Sequence, residues 1–117
     1  AGKKLSTSDL LGKPTVVTFL TTWSLSSQEQ LPLSANKNGA DFNWVLVGSG
    51  ESLSRWTNYV SIAGYNTPVV VDSTNQLAQV FGLGSVPSHY FFDRHGNLYD
   101  SKVGIMSGKE IINNLKN

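Results

Sequence analysis

The chain has 117 residues, with nine Lys and Arg against eight Asp and Glu, two His and no Cys. This length suits one domain over residues 1–117, and 39% apolar residues suffice for a core without disulfide or metal staples. A net charge of +1 without a basic stripe argues against binding nucleic acid through its phosphates. No apolar segment approaches the roughly 20 residues that span a bilayer.

The predicted elements alternate. Pro14–Leu20 is a β-branched run that reads as a buried strand. Ser26 to about Lys37 reads as a helix with Leu31 and Leu33 among polar residues, Gly39 beyond its end and Pro32 kinking it. Phe42–Val47 is a second strand, and Gly48-Ser49-Gly50 after it reads as a turn. A dinucleotide fingerprint would need a third glycine where Leu53 stands. Leu53, Trp56, Tyr59, Val60 and Ala63 then recur at helical spacing. Pro68–Val71 is a short apolar run, and Asn75–Phe81 a short helix closing at Gly82. His89–Phe92 and Leu98–Val103 flank the turn Asp93–Asn97 as a hairpin. A last helix starts at Ser107 or Gly108, with Ile111, Ile112 and Leu115 facing the core. The order β-α-β-α-β-α-β-β-α implies parallel strands joined by crossovers, then an antiparallel pair. The fold class is therefore α/β, a central mixed sheet with helices on both faces.

The start, Ala1-Gly2-Lys3-Lys4, is neither an initiator methionine nor a signal peptide. It reads as a trimmed fragment, with any export signal or membrane anchor upstream. Charged residues make up only 15% of the chain, and Ser, Thr and Asn fill the gap, a bias that fits an extracytoplasmic protein. No Gly-x-Ser-x-Gly elbow surrounds Ser24 or Ser27, so hydrolase chemistry with His89, His95 and Asp93 has little support. Two histidines without a ligand cluster imply no metal site. Trp44, Trp56, Tyr59 and Tyr65 could form an aromatic surface, although Trp56 and Tyr59 fit the core stripe.

Three segments in order carry a resemblance. A strand leads into Thr21-Thr22-Trp23-Ser24-Leu25-Ser26-Ser27 at a helix start, followed by Pro32. Gly84-Ser85-Val86-Pro87-Ser88 runs into the hairpin. Asp93–Asn97 then precedes Val103-Gly104 and the last helix. The pattern resembles the thioredoxin superfamily, most closely its TlpA/ResA-like extracytoplasmic thiol–disulfide oxidoreductases, from about Leu10 to Leu115. The family's N-terminal hairpin is missing or reduced to the first dozen residues.

The family motif is Trp-Cys-x-x-Cys; here Trp23 matches and serine stands at both cysteine positions, Ser24 and Ser27. The resemblance implies a nucleophile at position 24, a resolving group at 27, substrate contact at Trp23, and a cis-proline loop at Val86-Pro87 that receives extended substrate backbone. It implies no cofactor. Its partners would be disulfide- or thiol-containing proteins and a redox partner protein, met by a monomer in the periplasm or another extracytoplasmic space. Family members often carry an acid at the positions of Thr18 or Gln30, and Glu29 should point to another side of its helix. Serine has no disulfide state and stays un-ionised, so the chain as written is expected to be redox-inactive. The leading reading is a thiol–disulfide oxidoreductase domain whose parental protein would reduce or exchange disulfides in exported proteins. The alternative is a naturally degenerate, non-catalytic peptide-binding module, and the serines are either engineered or natural.

Overall fold

The structure, a computed structural model, describes residues 12–34, 42–63 and 69–115, and of residues 34, 53, 60–63 and 69 only the backbone. The first eleven residues, the expected helix end at Lys37, and Gly39, Tyr65 and Pro68 lie outside the described residues. Five strands form one mixed sheet: β1 (Thr15–Leu20), β2 (Asn43–Ser49), β3 (Val69–Asp72), β4 (Ser88–Phe92) and β5 (Leu98–Val103). Their spatial order is β3-β2-β1-β4-β5. β1 and β2 run parallel, with Thr18 opposite Leu46, and β2 and β3 also run parallel. β4 lies antiparallel to β1, with His89 opposite Thr18, and β5 antiparallel to β4.

All six residues of β1 are buried, as a central strand covered on both faces requires. Its period of two divides the core. Val16 and Leu20 join Leu31, Trp44, Leu46, Trp56, Phe91 and Ile111 on one face. Val17 and Phe19 join Val47, Ala78 and Tyr90 on the other. The first face is covered by α1 (Leu25–Ser34), α2 (Leu53–Ala63) and α4 (Gly108–Asn113), and the second by α3 (Gln76–Phe81). Phe81 meets Tyr90 edge-on at 4.7 Å between ring centroids and Phe19 at 5.2 Å. Full burial of each such ring contributes on the order of 1.5–3 kcal/mol.

Trp56 is buried and Tyr59 packs edge-on against it, so the helical stripe holds where its side chains are described. Trp44 is buried too, which removes it from any aromatic surface. Trp56 lies so close to β2 that a Cβ at Gly48 would meet its Nε1 at 2.2 Å. Gly82 ends α3 in the left-handed region, with φ 66. α1 runs through Pro32 to Ser34. One expectation fails: Ile112 does not face the core but is 55% exposed. Successive helical residues are about 100° apart, so a fully buried Ile111 turns its neighbour outward.

Candidate functional site

The turn between β1 and α1 brings the motif to the surface. Trp23 is 71% exposed and Ser24 half-buried, whereas Ser27 is buried. Ser24 stands one residue before α1, and its carbonyl accepts the Gln28 N–H at 3.0 Å. Its hydroxyl accepts the Ser27 N–H over a long 3.4 Å, the geometry of a helix N-cap. Ser27 Oγ accepts the Thr21 N–H at 3.1 Å, so the second hydroxyl stitches the helix to the end of β1.

Glu51, in the loop after β2, holds the turn from the other side. Its buried carboxylate accepts the Thr22 N–H at 2.6 Å and the Thr22 hydroxyl, and it pairs with Arg55 at 3.4 Å. Gln28 Nε2 adds a bond to the Thr22 carbonyl at 2.9 Å. No motif pointed to Glu51, because its contact with Thr22 bridges 29 positions.

An open groove of about 540 Å³ runs between this turn and the loop before β4. Trp23 and Ser24 line one side and Val86 the other, with Ser49, Gly50 and Asn75 between. Gly48-Ser49-Gly50 is thus more than the spare turn expected of it: two of its residues border the groove. Ser27 and Pro87 are buried beside it and do not line it. The Val86–Pro87 peptide is cis, and the Pro87 carbonyl accepts the Gly104 N–H at 2.9 Å.

Beneath the loop lies a buried chain of polar groups. The Gly104 carbonyl can only accept, so His89 Nε2, at 2.8 Å, carries the ring proton. In the neutral ring Nδ1 must then accept, and it takes the Thr18 hydroxyl proton at 2.8 Å. Thr18 Oγ1 in turn accepts Trp44 Nε1–H at 2.8 Å. Burial pushes His89 below the usual 6.5 of an imidazole, against the opposing pull of its Gly104 bond and of Glu110. At the second family acid position, buried Gln30 donates to the Met106 carbonyl at 2.8 Å and accepts its N–H at 2.7 Å. Glu29 beside it is exposed, on another side of α1.

Neither histidine bonds to a serine: His89 is engaged with Thr18 and Gly104, and His95 sits in the hairpin turn, its backbone N–H on Asp93. With no base bonded to them among the described residues, Ser24 and Ser27 lack there the arrangement of an activated nucleophile. Among the described residues, no group of three His, Asp or Glu could hold a metal ion.

A mixed five-stranded sheet with a helix-start pair facing a proline loop defines a thioredoxin-like protein. The chain belongs to the AhpC/TSA family, whose model matches residues 1–101. It is similar to the thiol-disulfide oxidoreductase ResA of Bacillus subtilis, 27% identical over 110 residues. That match covers 91% of this chain and 62% of the relative, so the chain spans less than two thirds of that protein's length. Among solved structures, the pneumococcal exposed lipoprotein thioredoxin Etrx1 of Streptococcus pneumoniae strain TIGR4 superposes with a TM-score of 0.83 at 27% identity, over 96% of this chain and 90% of that one. StoA of Bacillus subtilis shares the fold, with a TM-score of 0.77 at 18% identity over 86% and 81% of the two chains. The absence of cysteine throughout the chain is consistent with replacement of both motif cysteines.

Proposed function

We propose that this chain is a redox-silent, thioredoxin-like domain that holds extended polypeptide in the groove between Trp23-Ser24 and Val86. The observation that carries the reading is the groove itself, open while both motif hydroxyls are occupied in holding the backbone of the turn. Disulfide exchange needs a thiolate that attacks and a second thiol that resolves the mixed disulfide. Serine at positions 24 and 27 supplies neither. Among the described residues no helix is long and apolar enough to cross a membrane. An extracytoplasmic location is supported by the likeness to an exposed lipoprotein and by the low charge content.

A second reading rests on the position of Ser24. A thiol there would sit at the start of α1, where unpaired N–H groups favour a thiolate. A parental protein with cysteine at 24 and 27 would then reduce or exchange disulfides in exported proteins. The Ser24→Cys/Ser27→Cys double variant separates the two, with reduction of a disulfide-bonded protein under dithiothreitol as the readout. The original chain is expected to leave the rate unchanged. Exchange by the restored dithiol supports an oxidoreductase parent, and a flat response from a folded dithiol form supports the binding module. Cysteine codons at these positions in the source gene would establish the engineered origin.

A further inference from the structure

The groove continues past Ser24. A second depression of about 300 Å³ shares Ser49, Asn75 and Leu83 with it and runs on toward Gln79 and Gly82. Among the described residues no Asp, Glu, Lys or Arg lines either part. At the junction lies the Asn75 carboxamide. Asn75 precedes α3 in the left-handed region, with φ 62, yet its side chain makes no cap bond to the helix. Instead its Oδ1 accepts the hydroxyl proton of buried Ser49 at 3.0 Å. Gly50, with φ 73, makes room for this: a Cβ there would meet Asn75 Oδ1 at 2.9 Å. Ser49 and Gly50 together turn the carboxamide over the groove floor, with Oδ1 engaged and the two Nδ2 protons left to donate.

We propose that Asn75, oriented by Ser49, is the specificity-determining contact of the groove, and that it selects an uncharged extended polypeptide segment bearing a hydrogen-bonding side chain such as Asn, Gln, Ser or Thr. This rests on the peptide-binding reading above. An amide or hydroxyl oxygen accepts from Nδ2. A lysine offers no acceptor, and leucine leaves the carboxamide unpaired. A carboxylate can accept, but among the described residues the groove provides no cation to offset its desolvation. Recognition without charges also makes affinity insensitive to salt.

The test uses capped octapeptides of one alanine-valine frame with a single guest residue, Asn, Leu, Asp or Lys, titrated into the ¹⁵N-labelled full chain. The Asn guest is expected to bind about tenfold more tightly than the Leu or Lys guest. Its shifts should include Gly50 and Asn75, and its affinity should hold within about twofold between 50 and 500 mM NaCl. Asn75→Asp tolerates the same backbone and keeps an acceptor for Ser49. It should move the preference to the Lys guest, and Ser49→Ala, which frees the carboxamide to rotate, should weaken the Asn preference. Binding with shifts around Trp23 and Val86 but with the same guest order in wild type and Asn75→Asp overturns this inference and leaves the peptide-binding reading standing. No binding by any peptide overturns both.

Discussion

The buried chain Trp44–Thr18–His89–Gly104 leads to a prediction about pH. Every proton in it has a place only when His89 is neutral: Trp44 gives to Thr18, Thr18 to Nδ1, and Nε2 to the Gly104 carbonyl. A second ring proton would face Thr18 Oγ1 beside the Trp44 N–H and strand the hydroxyl's own hydrogen. The folded state thus resists protonation, whereas the unfolded chain takes up the proton near pH 6.5. Because the unfolded state binds more protons in this window, stability rises with pH and falls on acidification. The slope is at most about 1.36 kcal/mol per pH unit, so going from pH 7.5 to 5.0 removes up to roughly 2 kcal/mol. Below the folded value of His89 its contribution no longer changes. Asp93, Asp100 and Glu110 are held below their usual values, first by the Asn97 N–H, the Asn114 amide and the Ser107 N–H respectively. Their contributions are lost at lower pH, which keeps the histidine window separate. Urea unfolding at pH 7.5, 6.5, 5.8 and 5.0 measures the effect as a falling midpoint at constant m-value. Thr18→Val removes the hydroxyl that favours the neutral ring; it should cost about 1–3 kcal/mol at pH 7.5 and flatten the slope. A wild-type midpoint that stays constant from pH 7.5 to 5.0 refutes the neutral-histidine assignment.

Three further substitutions probe the frame of the site. Gly48→Ala drives a methyl into the Trp56 ring and should cost about 1–3 kcal/mol in urea unfolding, with Trp56 emission altered. Gln30→Glu restores an acid at a family position but loses the donor to the Met106 carbonyl. It should destabilise by about 2–3 kcal/mol at pH 7, and the deficit should shrink toward pH 4.5 as the carboxyl protonates and donates again. Ser27→Cys replaces the acceptor of the Thr21 N–H with a weaker one and should cost about 1 kcal/mol in thermal unfolding. A gain in stability from Ser27→Cys would mark the pocket as shaped for sulfur and favour the oxidoreductase parent.

The parts of the fold legible in the sequence were those with a local signature. β1 is a β-branched run, α2 carries the Trp56–Tyr59 spacing, α3 stops at Gly82, and Asp93–Asn97 turns the hairpin. Ile112 is exposed against expectation because a six-residue helix shows too few turns to fix which of two adjacent isoleucines points inward. α1 buries Ser27 and Gln30 alongside Leu31, so hydrophobic periodicity cannot find its inner face. Those polar residues are tolerated inside because each is hydrogen-bonded. Trp23, Ser24 and Val86 were legible through the family motif and do line one groove. Glu51 and Asn75 were not, since each acts on residues 26 to 29 positions away, brought close by strand pairing rather than by any local pattern.

Thr18, Ser24, Ser27 and Gln30 occupy the four positions where the resemblance expects acids or thiols. All four are neutral here, and each has a distinct hydrogen bond: Thr18 with His89, Ser24 with the Ser27 N–H, Ser27 with the Thr21 N–H, and Gln30 with Met106. Exchanging two cysteines for serine would by itself explain only positions 24 and 27. It would leave unexplained a histidine opposite Thr18 that completes a proton-matched chain, and a glutamine that pairs both backbone polar groups of Met106. Those two sites need no ionisation and would be disturbed by it, as a group that shuttles protons for thiol chemistry would not be. The neutral network therefore weighs toward the proposed binding module, in which the two motif hydroxyls serve to bond the backbone of the turn.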